Sequence, residues 1–492
     1  MAEVIATLFA QSLDATVRAA RGAAMSGADW IELRLDRLDR STDLGPLLAA
    51  IGLPVLVTCR TPREGGAYGG SLVERRELLQ QALQAGAQGI DLEDWETWQP
   101  TPRPRLLVRS YHNLTAPGRE LAERRDALLG LGADVAKIAV TAPDLADAAP
   151  VMELLAATDQ TLSPTVAFAM GRAASASRIL SCVLGAPYVY AGLDPAGNDL
   201  GQLPVAQVAG LYGARHLSPS TLLYGLLGNP ANHSLGPWLH NRAFRRLGLD
   251  AVYLPLETAR PEALLAGLPR RRLRGLSVTA PYKELVARGC HQLDEAARAT
   301  GVVNTVLFEA HGQIRGCNTD VHGVREALHQ AGLAAAPRRG APAVVLGSGG
   351  GARAAAVVLR DMGFKVTVCG RSLEPIRAFA RKLGVQLASL RADLIRQLDP
   401  LVVVHATPVG SAHGPTAGQR LLSDWTPLRG TFVLDMVYRP VETPLLAWAR
   451  AHDAVPVSGL SMFLAQAREQ VRLFTGFDVE AAALQDFLAG AL

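Results

Sequence analysis

Short apolar runs alternate with longer amphipathic stretches along most of the chain. In the first two hundred residues eight runs stand out: Val4–Phe9, Trp30–Leu35, Val55–Cys59, Gly89–Leu92, Arg105–Ser110, Val135–Ala139, Thr165–Ala169 and Tyr188–Ala191. Each has strand length and the near-continuous apolar character of a strand buried on both faces. Helix-like segments such as Leu72–Ala85 and Glu120–Leu129 lie between them. Eight strands alternating with helices predict an α/β fold, a (β/α)8 TIM barrel. A doubly wound sheet is the weaker reading, because no glycine phosphate loop follows the first strand. Leu211–Ser220, polar and carrying Pro219, reads as a short linker. Tyr224–Leu227 then restarts the strand pattern.

The pattern changes at Ala343–Ser372. Val344–Leu346 is a short buried strand, Gly347, Gly349, Gly350 and Gly351 a sharp turn, Ala354–Leu359 a helix, and Lys365–Cys369 a second strand. Gly347, Gly349 and Ala352 fill the G-x-G-x-x-A positions. Free amides and the dipole at a helix start favour an anion, so this stretch predicts a Rossmann dinucleotide site. After the second strand, where an NAD site has an acid, stand Gly370, Arg371 and Ser372. Arg371 can stack on adenine and pair with a 2′-phosphate, and Ser372 can donate to it, so the expected cofactor is NADP.

Composition narrows the class. With 492 residues there is room for three domains or so. The net charge of +4 comes from scattered basic residues with no aromatic interleaving, which argues against a nucleic-acid partner. Five cysteines lie far apart without a C-x-x-C pair, which points to reduced thiols, a cytoplasmic protein and no zinc. No basic leader opens the chain and no apolar run reaches spanning length, so no membrane association is expected.

A barrel keeps its chemistry at the C-terminal ends of its strands. Glu32 with Arg34, Arg60 with Glu64, Ser110 with His112, Lys137, Met170 and Gln202 collect there. Lys137 has Val135 and Ala139 on its own strand face. That setting disfavours the charge and leaves a nucleophilic amine. In order, ELRLD (Glu32–Asp36), CRTPREGG (Cys59–Gly66), SYHN (Ser110–Asn113), AKIAV (Ala136–Val140), Met170–Gly171 with Ser177–Arg178, and Gly201–Gln202 resemble type I 3-dehydroquinate dehydratase. The resemblance covers residues 1 to about 213 and implies a Schiff-base mechanism. Lys137 would attack the ketone of 3-dehydroquinate. His112, oriented by Glu64, would take the adjacent proton and return it to the leaving hydroxyl. Arg34, Arg60 and Arg178 would hold the substrate, and Glu32 would bind its hydroxyls. Asn198 stands where the family's lid loop has serine, with Gln202 retained.

The second half carries GNPANHSLGPWLHN (Gly228–Asn241), LSVTAPYKE (Leu276–Glu284), GVVNT (Gly301–Thr305) and GCNTD (Gly316–Asp320). Lys283 and Asp320 are an ammonium and a carboxylate that can share a site. Ser234, Thr279, Asn304 and Asn318 offer hydrogen bonds suited to a polyol. With HATPVG (His405–Gly410), DMVY (Asp435–Tyr438) and SGLSMFLAQA (Ser458–Ala467), the stretch 221–492 resembles shikimate dehydrogenase. The resemblance implies a substrate domain over 221–328 completed by 459–492, and a Rossmann domain over 329–458. Lys283 and Asp320 would be the catalytic pair. Ser234, Thr279, Asn304, Tyr438 and Gln466 would line the substrate pocket, and Thr407, Gly459 and Met462 would border the nicotinamide. The partners would be 3-dehydroquinate, 3-dehydroshikimate and shikimate, with the chain a monomer or homodimer.

One departure bears on specificity. The family's H-S-x-S-P reads His233, Ser234, Leu235, Gly236, Pro237 here. Losing one donor weakens carboxylate binding by about 0.5–1.5 kcal/mol where nothing replaces it. It also makes room for the extra hydroxyl of quinate. The main reading is a bifunctional shikimate-pathway enzyme. The alternatives are a quinate-using dehydrogenase with a dehydratase, and a metabolite sensor without catalysis. The presence of Lys137, His112, Lys283 and Asp320 argues against the sensor.

Overall fold

The computed structural model describes residues 2–9, 12–39, 42–115, 118–193, 200–269, 272–333 and 339–490. All eight early runs form strands: β1 (Glu3–Leu8), β2 (Trp30–Arg34), β3 (Val55–Thr58), β4 (Gly89–Glu93), β5 (Leu106–Asn113), β6 (Val135–Thr141), β7 (Thr165–Met170) and β8 (Tyr188–Ala191). They pair in parallel in the order β7-β6-β5-β4-β3-β2-β1-β8, a nearly closed barrel. Ile5, Leu56, Val108, Val135, Ala139, Phe168 and Tyr190 pack together as its apolar filling. β5 and β6 run past the expected ends. Their pairing continues through His112 opposite Ala139 and Asn113 opposite Val140. Polar residues at these strand ends hid the extension from an apolar pattern, so His112 is on a strand rather than in the loop after it.

The linker expected at Leu211–Ser220 is instead part of the barrel's packing. Ala206–Leu211 is helical, and Tyr212, Ala214 and Leu217 are buried. Arg215 makes a two-pronged pair with Asp29, at 2.7 and 2.9 Å, and donates to the Gly27 carbonyl at 2.8 Å.

Beyond it come two further sheets. One has the order β10-β9-β11-β13-β14-β12, formed by β9 (Leu222–Gly228), β10 (Ala251–Glu257), β11 (Leu273–Val278), β12 (Gln292–Leu293), β13 (Thr305–Phe308) and β14 (Ile314–Cys317). The other is wholly parallel, in the order β17-β16-β15-β18-β19-β20. Its strands are β15 (Pro342–Leu346), β16 (Lys365–Gly370), β17 (Gln386–Ser389), β18 (Val402–His405), β19 (Phe432–Asp435) and β20 (Val455–Ser458). The chain divides into two compact units, Met1–Tyr224 with Gly248–Leu273, and Gly225–Leu247 with Arg274–Leu492. Among the described residues no helix is long and apolar enough to cross a membrane.

Candidate active sites

Lys137 lies on β6 opposite Ser110 of β5. Its Nζ is 3.2 Å from Asp91 Oδ2, 3.5 Å from Glu32 Oε1 and 3.8 Å from the centre of the Tyr190 ring. This corrects the apolar setting expected for it. Val135 and Ala139 flank it along its own strand, but β2 and β4 aim carboxylates at its amine. Thr7 and Thr58 donate to Glu32 at 2.7 and 2.9 Å. Burial pushes both carboxyls up. Lys137 and Arg34 outweigh that at Glu32, as Arg60 and Lys137 do at Asp91, so both stay below the usual carboxylate range.

Arg60 ties the centre together. It reaches Asp91 at 2.9 Å, Ser110 Oγ at 2.7 Å and Glu64 at 3.2 Å. His112 Nδ1 lies 2.8 Å from Glu64 Oε2. Burial, with Arg60 and Lys137 nearby, holds His112 well below its ordinary pKa. Burial also pushes the Glu64 carboxyl up to about 9, and Arg60 opposes this only in part. The imidazole is therefore uncharged and able to take a proton.

Arg178 lies over the Phe168 ring and donates to the Leu200 and Gly201 carbonyls, both at 3.1 Å. Its Nη1 is buried without a hydrogen-bond partner among the described residues, and burial lowers the guanidinium pKa to about 9. A buried cation with a spare donor suits an incoming carboxylate. Arg34 is held in two-pronged fashion by Asp36 at 2.8 and 2.9 Å. Gln202 donates to Thr7 at 3.3 Å. Asn198 lies outside the described residues.

Sequence reading missed Asp91, Glu93 and Tyr190. The signal was present in GIDLE, where two acids share one face of an otherwise apolar strand. Glu93 accepts from both the amide and the hydroxyl of Thr61 at 2.7 Å. It thereby pins the start of the short Pro62–Glu64 turn that presents Glu64.

In the second half, Lys283 Nζ is 2.6 Å from Asp320 Oδ2. Asp320 does not cap its own helix. Asn318 does so, accepting the Asp320 amide at 3.1 Å, which leaves the Asp320 carboxylate for Lys283. Asn304 donates to Asp320 Oδ1 at 2.9 Å and to Thr319 at 2.9 Å, and accepts the Thr319 amide at 2.8 Å. Gln466 approaches the same cluster, 3.2 Å from Thr319 and 3.5 Å from Asn304. Ser234 accepts from the Gly236 amide at 3.0 Å and is hydrogen-bonded to the Tyr438 hydroxyl, itself raised by burial. Thr279 is half-buried beside Gly228. Gln470, which joins Ser277 and Thr305 at 2.9 Å each, was not foreseen.

The parallel sheet reverses its strand order at β15, with β16 on one side and β18 on the other. Ligands bind such sheets in the crevice at the strand C-termini, at this switch point. Gly347 sits there with φ +125°, and a Cβ would lie 2.7 Å from the Ala406 carbonyl. The helix begins at Gly350, not Ala354 as expected. Gly350, Gly351 and Ala352 are thus its first turn, and Gly347 alone of the four glycines needs the left-handed region. Gly349 caps the helix without a side chain, leaving its amides open to an anion. Thr407 borders Gly347, and Thr407 Oγ1 is 2.5 Å from His405, whose other nitrogen is 2.8 Å from buried Asp435. Gly459 admits no side chain, since a Cβ would lie 2.4 Å from the Asp435 carbonyl. Met462 is buried in the Gly459–Thr475 helix. Arg371 and Ser372 are exposed just beyond β16. The glycine cradle, open amides and exposed guanidinium fit NADP.

Comparison with known proteins finds relatives of both halves. Residues 4–219 match the type I 3-dehydroquinase family, and residues 226–306 match the shikimate dehydrogenase substrate-binding domain. The bifunctional 3-dehydroquinate dehydratase/shikimate dehydrogenase, chloroplastic, of Arabidopsis thaliana is 31% identical over 96% of this chain and 82% of its own. The shikimate dehydrogenase (NADP(+)) of Acidiphilium cryptum is 41% identical over 51% of this chain and 89% of its own. A solved structure of the dehydroquinate dehydratase and shikimate dehydrogenase of S. pombe AroM is 25% identical, covering 99% of this chain and 98% of that one, with a TM-score of 0.43. With likeness to the Arabidopsis protein running through both halves, the chain belongs to the bifunctional 3-dehydroquinate dehydratase/shikimate dehydrogenase family.

Proposed function

We propose that the chain dehydrates 3-dehydroquinate to 3-dehydroshikimate in its barrel and reduces that product to shikimate with NADPH in its second half. The observation that carries this is the presence of two separate lysine–carboxylate centres, Lys137 with Asp91 and Glu32, and Lys283 with Asp320. We divide the chain into a dehydratase barrel (1–213, with 214–220 packed onto it), a substrate domain (221–328, completed by 459–492) and a Rossmann domain (329–458).

In the barrel, Lys137 adds to the ketone and water leaves, giving a protonated imine. The imine draws electrons from the neighbouring C–H bond. Neutral His112, anchored on Glu64, takes that proton and then protonates the departing hydroxyl, which leaves as water. Hydrolysis of the imine frees the product and Lys137. Arg178, with its spare Nη1 donor, holds the substrate carboxylate, while Glu32, Arg34, Arg60, Asn198 and Gln202 bind the rest. Asp91 keeps Lys137 and Arg60 in place.

In the second half, bound NADPH supplies the hydride. Lys283 donates a hydrogen bond and then a proton to the reacting oxygen, Asp320 holds and tunes it, and solvent returns the proton. Ser234, Thr279, Asn304, Tyr438 and Gln466 bind the substrate, with Gly236 leaving space beside them. Gly347, Gly349, Gly350, Gly351 and Ala352 cradle the pyrophosphate. Thr407, Gly459 and Met462 border the nicotinamide, and Arg371 with Ser372 reads the 2′-phosphate.

The five unpaired thiols, four of them buried, support residence in the cytoplasm, with the chain a monomer or homodimer. The test is purified protein with 3-dehydroquinate and NADPH, products identified by mass spectrometry. Shikimate is expected. Quinate would mean that the second site reduces 3-dehydroquinate directly, the outcome that Gly236 allows. Absence of turnover would overturn both.

A further inference from the structure

Arg353 has no part in the chemistry above, yet it is buried in the first turn of the Gly350–Asp361 helix. It ion-pairs with Glu284, donates to the Pro375 carbonyl at 3.2 Å and lies 5.5 Å over the Phe379 ring. Glu284 follows Lys283 directly, at the start of the Lys283–Gly289 helix. That helix is poorly anchored by itself: it has seven residues, none buried, and no side-chain cap. Its first turn is instead gripped from two sides. Lys283 meets Asp320 of the Thr319–Gln330 helix, and Glu284 meets Arg353 of the dinucleotide helix. The lysine stem also passes close to that second helix, because a Cβ on Gly350 would lie 2.9 Å from Lys283 Cδ.

We infer that Arg353 is a positioning residue for the reduction step: through Glu284 it fixes Lys283 against the glycine turn that receives the dinucleotide. The inference rests on the assignment of Lys283 to proton transfer. Arg353 spans three places at once, the amide end of the dinucleotide helix, the Pro375 carbonyl a few residues beyond Arg371, and the residue beside Lys283. Its Nη2 is engaged by Glu284 and the Pro375 carbonyl, so its loss should disturb alignment more than cofactor binding. A misplacement of about 1 Å at a reacting group costs about 10²-fold in rate.

The whole 492-residue chain carries the test, as Glu284→Gln, Arg353→Gln, the charge-exchanged double variant Arg353→Glu/Glu284→Arg, and Lys283→Met as a control. Glu284 is half-exposed, so Glu284→Gln leaves the fold intact. Each single glutamine variant is expected to lower the dehydrogenase kcat about tenfold or more, with KM for NADP within about twofold and dehydratase activity unchanged. The double variant should regain a substantial part of the lost kcat. If Glu284→Gln keeps the wild-type kcat while Lys283→Met is inactive, the inference fails and the role of Lys283 stands. Loss in the singles without recovery in the double variant also overturns it, because either side chain would then matter for some reason other than their pairing. A Lys283→Met variant with full kcat removes the underlying assignment itself.

Discussion

The two halves use the same residue pair, a lysine beside a carboxylate, in opposite surroundings. Lys137 stands inside the barrel with its side chain 5% exposed, facing Asp91, Glu32 and the Tyr190 ring. Lys283 begins a short surface helix with its side chain 20% exposed, facing the single carboxylate of Asp320 among the described residues. The difference follows the chemistry assigned to each. A lysine that forms an imine must hand off protons locally and be screened from bulk water, so its partners are rigid strand residues. A lysine that delivers a proton to a reduced oxygen must be recharged each cycle, so partial exposure serves it.

The comparison breaks most sharply at Lys137. Lys137→Ala should abolish dehydration, by at least about 10⁴-fold, while the dehydrogenase keeps its rate. Borohydride added with 3-dehydroquinate should leave a covalent mass increase on the wild-type barrel and none on the variant. An undiminished dehydratase rate would remove the Schiff base from the mechanism. Lys283→Met should cost less, about 10²–10⁴-fold in dehydrogenase kcat, because it removes acid–base assistance and not a covalent intermediate. Stopped-flow measurement of NADPH oxidation with 3-dehydroshikimate checks it.

This contrast was only partly legible in the sequence. Strand positions could be read because parallel strands are apolar on both faces, and all eight barrel strands were found. The ends of β5 and β6 could not be, since Tyr111, His112 and Thr141 are polar in just the places where function replaces core. Lys137 was found but its surroundings were misjudged. The period of two along β6 gives its flanks, whereas Asp91 and Glu32 arrive from β4 and β2, and cross-strand neighbours depend on register. Asn318 and Asp320 stand together at a helix start, and only the structure shows that Asn318 takes the capping place and leaves Asp320 to Lys283. Arg215 looked like a linker residue because its partner Asp29 is nearly two hundred positions away.

A third measurement sharpens the barrel's side of the comparison. Glu64 titrates at an ordinary 4.5 when unfolded and at about 9 when folded. Below about 4.5 both states are protonated. As pH rises the unfolded chain loses its proton first, so this group's contribution to barrel stability declines until pH passes about 9. Glu64→Gln has no such decline. The barrel transition of the variant should therefore gain on wild type as pH rises from 5 to 9 and gain no further above that. In a domain of this size each kcal/mol appears as about 2–4 °C in Tm. His112 runs the other way. Its folded pKa lies well below 6.5, so its contribution is lost as pH falls below 6.5. Melting curves of both proteins across this range settle the sign, and a constant gap would show that Glu64 is ionised in the folded barrel.

The smallest expected effect lies in the second half, at Gly236. Gly236→Ser would restore a hydroxyl beside Ser234. A new donor to the shikimate carboxylate is worth about 0.5–1.5 kcal/mol, a fall of about 2- to 12-fold in KM for shikimate. The gain should sit towards the lower end. Ser234 accepts the Gly236 amide and is hydrogen-bonded to the Tyr438 hydroxyl, so the proposed carboxylate position already has two hydroxyls within reach of each other. What the serine removes is space, and space matters more for quinate, which carries an extra hydroxyl at the same carbon. The ratio of shikimate to quinate oxidation should therefore rise by more than KM for shikimate falls. An unchanged ratio would mean that the room left by Gly236 is filled by water in both complexes. Specificity in this half would then rest on Thr279 and Tyr438, as the proposed function has it rest on the buried carboxylates and Arg178 in the barrel.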